Sequence, residues 1–235
     1  MIRGTTRIAG VFFALAVTFF ALDPSAALGD AGGGFPGIVD DLTAIPPDTM
    51  GAVGPNHLVS FLNTEVGFFD KAGNKTNLTT TLDAFWRPLI TSKSLPNDPF
   101  DPKVLFDQHS GRFVAMTIDG QPPEKSWVLL ARSNSSDPGQ GWSQWAIPAD
   151  NNLWADYPGL GVDANNIYIT TNLFDNTDNF HYIKVWVVPK ASLPPTGQDL
   201  TNATALPNPF NFTGPLNGGP FSFQPTHVFG TPGDA

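Results

Sequence analysis

The chain has 235 residues, 41% of them apolar, which is enough for a buried core in one or two domains. Its 23 Gly and 23 Pro, and an acidic set of 19 Asp beside only Glu65 and Glu124, exclude an all-helical bundle. A net charge of −9 leaves no basic face for nucleic acid or anionic membrane, and the absence of Cys excludes disulfides, a thiolate nucleophile and Cys-bound zinc.

Residues 1–29 place Arg3 and Arg7 before an apolar run from Ile8 to Leu22 and a small-residue stretch after Pro24. This is the pattern of a secretory signal peptide, and 15 apolar residues are short for a membrane span. The mature chain is therefore expected outside the cytoplasm, as a secreted, periplasmic or cell-surface protein with no membrane span. A Gly/Pro-rich lead-in covers residues 30–47.

Short β-type runs separated by turn clusters fill the rest, and a helical period is visible only around Asp83 to Ile90. The runs repeat. Segments opening at Asp48, Asp101 and Asp156 each carry a short strand, a tight turn (GPN, DQHSG, DANN), a β-branched and aromatic strand, a looser turn and a third strand. A fourth copy opens at Gln224, and the starts lie 53, 55 and 68 residues apart. That period suits four-stranded antiparallel blades of a β-propeller, at 48–100, 101–155 and 156–223, with a fourth beginning at 224. A β-sandwich is the competing all-β architecture.

Between two of these runs, Ser135, Asp137, Gly139 and Trp142 fit the S-x-D-x-G-x-x-W pattern of an Asp-box. In such a hairpin the Asp accepts N–H groups of its own turn, Gly139 is expected to take the positive φ and Trp142 to plug the space beneath.

The Asp-box and the order of the runs resemble the sialidase-like β-propeller superfamily. The stretches PPDTMGAVGPNH, FDPKVLFD and WADYPGLGVD are similar to secreted bacterial proteins of that kind, over roughly Pro46 to Gly230. Propellers close with four to eight blades, so the resemblance implies an incomplete ring, finished by blades from a longer chain or from another copy.

In a propeller, the residue entering each inner strand sits at one mouth of the central channel. Asp48, Asp101, Asp156 and Gln224 are expected there. Converging carboxylates raise one another's pKa, bind a hard cation such as calcium, or meet a polar ligand; turn capping is the structural alternative. Trp154, Tyr157 and Phe100 flank them and offer apolar faces, so a glycan or another polar extracellular ligand is the expected partner. The motifs also resemble, loosely, those of five-bladed furanosidases. That likeness implies nucleophile or base, transition-state stabiliser and acid roles for Asp48, Asp101 and Asp156, although Asp156 stands where that family has a Glu acid. A sialidase would need Arg87, Arg112 and Arg132 as a carboxylate clamp. Three functions stand open: a glycan-binding module, a glycoside hydrolase, and a structural or adhesive surface module.

Overall fold

A computed structural model of the protein describes residues 34–76, 79–122, 124–197, 200, 204–206 and 221–230. The expected signal peptide, residues 1–29, lies outside them. All elements below belong to the unit Phe35–Ala235, and among the described residues no helix is long and apolar enough to cross a membrane.

Among the described residues, twelve strands form three four-stranded antiparallel sheets, each pairing its strands in sequence order. The first holds β1 (Met50–Val53), β2 (His57–Phe61), β3 (Glu65–Asp70) and β4 (Thr80–Thr81). The second holds β5 (Pro99–Asp107), β6 (Arg112–Asp119), β7 (Trp127–Ser133) and β8 (Trp142–Pro148). The third holds β9 (Trp154–Val162), β10 (Asn166–Phe174), β11 (Phe180–Pro189) and β12 (Thr204–Leu206). The opening strands run beside one another, β1 against β5 and β5 against β9.

The middle sheet has no solvent face. Along β6, Phe113 and Ala115 enter a core shared with Phe61, Val66 and Phe68 of the first sheet, while Val114, Met116 and Ile118 enter one shared with Ile167, Ile169 and Trp186 of the third. This is why β6 reads as a nearly unbroken apolar run rather than an alternating one.

The tight turns are built as their residues suggest. The Asp107 carboxylate accepts from His109 N (3.1 Å) and Ser110 Oγ (2.6 Å), and Asp163 accepts from the N–H groups of Asn165 and Asn166 (both 2.7 Å). A helix α1 (Leu82–Lys93) links the first two sheets, starting one residue before the expected stretch and running three beyond it. Thr81 Oγ1 caps it by accepting from Ala84 N, Ser94 closes it in the left-handed region (φ 53°), and Phe85, Trp86 and Leu89 carry its buried face.

The β7–β8 connection places the four expected residues in one turn. Asp137 Oδ1 accepts from Gly139 N (2.8 Å), Ser135 Oγ accepts from Asp137 N (3.1 Å), and Trp142 Nε1 donates to Pro138 O (3.0 Å). The Trp142 ring stacks on Phe68 and meets Phe61, Phe85 and Phe113, joining the first two sheets. One detail is corrected: the positive φ (91°) falls on Gly141, where the chain leaves the short 3-10 turn, and not on Gly139.

Residues 221–230 lie along β9. Val228 N donates to Val162 O (2.9 Å) and Thr170 Oγ1 to Phe223 O (2.6 Å), and a Cβ on Gly159 or Gly161 would stand within 2.8 Å of Pro225. The turn after β5 also grips this segment, because Gln108 Nε2 donates to Val228 O (2.8 Å). Lys190, beyond β11, closes the same end with a buried ion pair to Asp107 (2.6 Å). Replacing one partner leaves a buried charge uncompensated. Lys190→Met is therefore expected to lower unfolding free energy by about 3–5 kcal/mol. In urea titrations, the double change Lys190→Met with Asp107→Leu should recover most of that loss; a single variant as stable as the parent would refute the assignment.

Candidate functional site

At the opposite end of the opening strands the backbone makes the same unusual move three times. Asp48 (φ 47°), Asp101 (φ 53°) and Tyr157 (φ 50°) are left-handed. In the second and third sheets the move coincides with a bulge, between Phe100 and Lys103 on β5 and opposite Thr170 to Asn172 on β9. Asp tolerates this region because its short side chain can bond locally, whereas for Tyr it costs on the order of 1 kcal/mol.

This conformation corrects the alignment of the repeats. The third counterpart of Asp48 and Asp101 is Tyr157, and Asp156 precedes it by one residue. Pro102, Pro158 and Pro225 follow the equivalent positions, so Gln224 aligns with Tyr157 as well. Asp156 nevertheless reaches the same place. Burial, then the charge of Asp156, then a hydrogen bond and the charge of Asp48 push the Asp101 carboxyl up to about 7. Asp48 and Asp156 both act on the Asp101 carboxyl, so the three acids share one neighbourhood, called the carboxyl row below.

Asn63, just past β2, ties two members together. Its Nδ2 donates to Asp48 Oδ2 (2.8 Å) and Pro46 O (3.0 Å), and its Oδ1 accepts from Asp101 N (2.8 Å). Composition and spacing did not single out Asn63. Its role comes from lying opposite Asp48 across the β1–β2 hairpin, which is visible only once pairing is known.

The expected aromatic residues divide. Tyr157 is 53% exposed beside the carboxyl row. Phe100 is half-buried against the core between the second and third sheets. Trp154 is half-buried, donates from Nε1 to Asp175 O (3.0 Å) and packs on Phe174, although it also borders a polar cleft of about 240 Å³ with Glu124, Asp150 and Asn152. Gln224 is exposed, with its Oε1 2.7 Å from the place a Gly159 Cβ would occupy.

Among the described residues no group of three or more His, Cys, Asp or Glu side chains is placed to hold a metal ion. That holds for Asp48, Asp101 and Asp156 too, on which calcium is expected from the sequence. Asp175 is likewise a turn residue, accepting from Thr177 N (2.9 Å) and Asn179 N (3.1 Å), with His181, Thr177 and Asn179 holding its carboxyl well below the usual range. An Arg clamp is not assembled: Arg112 is committed to the carbonyls of Ser133 and Asn134, Arg132 lies over Trp145, and Arg87 is exposed on α1.

A second cleft, of about 670 Å³, opens between α1 and Trp142, lined by Phe68, Phe85, Leu89 and Thr196. It has room for a ligand but its lining carries no titratable side chain. No protein-family model matches the chain, and no curated protein matches it.

Because folding raises the Asp101 pKa above its ordinary 3.8, the folded chain binds more protons than the unfolded one between about pH 4 and pH 7. The contribution of Asp101 is full at low pH and is lost as pH rises to about 7. Melting curves of the parent and of Asp101→Asn from pH 4 to 8 should show the variant gaining relative stability across that window. A difference that stays flat with pH would show that Asp101 stands apart from the other two carboxyls.

Proposed function

We propose that this chain is a secreted β-propeller module of the sialidase-like kind, which binds a glycan at the end of the inner strands where Asp48, Asp101 and Asp156 come together. Three successive four-stranded meanders with their opening strands abreast, and a further segment laid along β9, support the radial reading. In this reading further blades, from a longer chain or a second copy, complete the ring.

The observation that carries the binding function is the placement of Asp101 between two other carboxyls, beside an exposed Tyr157. A row that keeps one proton near neutrality offers both acceptors and a donor to hydroxyl groups, and the Tyr ring supplies an apolar face for a pyranose. Glycoside hydrolysis needs two carboxyl groups about 5 Å apart for retention, and further for inversion, and it is the rival reading that aryl glycosides test.

A glycan array probed with the parent and with Asp156→Ala, each checked by circular dichroism, tests the reading. We expect the parent to retain a defined set of glycans and the variant to lose roughly tenfold or more of that affinity, as removal of a charged hydrogen-bond partner does. Aryl glycosides should stay intact in the same preparations. Turnover abolished by Asp101→Asn would replace binding by hydrolysis, and an array on which the parent retains nothing would overturn the proposal.

A further inference from the structure

Opposite Asp156 on β10 stands Asn172, its partner in the β9–β10 ladder. Asn172 is 1% exposed, and among the described residues its Nδ2 has no hydrogen-bond partner. Directly paired residues of antiparallel strands carry their side chains on the same face, about 5 Å apart at Cβ. The amide therefore lies on the Asp156 side of the sheet. Residues two apart on a strand share a face, and Thr170 on that face donates to Phe223 O (2.6 Å). Asn172 thus lies on the sheet face that carries Asp156 and that the segment with Phe223 and Gln224 covers. A buried amide N–H without an acceptor is among the costlier features a fold can keep, so its placement next to a carboxylate asks for a group that satisfies both.

We propose that Asn172 completes the glycan site and sets its choice of ligand: its amide donates to an oxygen of a neutral sugar while that hydroxyl, or the one beside it, donates to Asp156. This rests on the glycan-binding reading and narrows it to uncharged sugars. An ammonium group has no lone pair for the Asn172 donor, and a ligand carboxylate meets the Asp48, Asp101 and Asp156 row as a like charge. A hydroxyl alone both accepts from the amide and donates to the carboxylate. Gln224, exposed at the rim, gives the same dual chemistry to a second hydroxyl.

The experiment is one array bearing glucose-, glucosamine- and glucuronate-terminated oligosaccharides, probed with the parent, Asn172→Leu and Asn172→Asp, each with a thermal melt. The parent should retain the glucose-terminated set. Asn172→Leu should weaken that binding tenfold or more, and Asn172→Asp, which keeps the shape and turns the donor into an acceptor, should shift preference toward glucosamine. Should Asn172→Leu fail to fold, the isosteric variant still decides. Parent-like binding by a folded Asn172→Asp, or a parent that selects glucosamine or glucuronate, overturns the role of Asn172 while leaving glycan binding intact. A parent that retains no sugar at all removes both.

Discussion

Burial of the middle sheet on both faces is the constraint from which the rest follows. A strand such as Arg112–Asp119 presents large apolar side chains to either side, and each one fully buried stabilises the fold by about 1.5–3 kcal/mol. It must therefore have a sheet on each side, and the partners available are the meanders before and after it. Antiparallel meanders stacked in this way put their opening strands abreast, β1 by β5 by β9. The carboxyl row is a consequence: each opening strand enters from the same end, and the residue that turns into it is brought beside its counterparts. Apolar packing on the flanks holds together groups that would repel one another in water.

Much of this could be read in the sequence because strands, turns and their recurrence leave local marks. The Asp107 and Asp163 turns, the cap at Thr81 and the Trp142 connection are all contained within a few neighbouring residues. One position is misread when residue identity alone is the guide. Aligning the repeats on Asp puts Asp156 where the backbone puts Tyr157, since identity was compared in place of conformation. The better guide is the Pro that follows Asp101, Tyr157 and Gln224, together with the six-residue interval from Asp101 to Asp107 and from Tyr157 to Asp163. Asn63 and Asn172 escaped notice because their meaning lies in strand pairing. Asn172 leaves one cue, an amide inside the run IYITTNLF, which is otherwise apolar, aromatic or β-branched.

The two ends of β5 show how far environment outweighs residue type. Asp107 and Asp101 sit on one strand, six residues apart, and burial pulls both carboxyls upward. At Asp107 the Lys190 ammonium and the Ser110 hydroxyl outweigh burial and hold the pKa below its ordinary value, so the charge is fixed and the turn is locked. At Asp101 the neighbours are Asp156 and Asp48, which add to burial, and the group keeps its proton to about 7. A fold that needed only a capped turn at that end had a cheaper solution in hand, the one it uses at the other. The proposed glycan site rests on that contrast: three acids kept together at one end, beside a strained Tyr157, where the other end pairs its acid with a lysine.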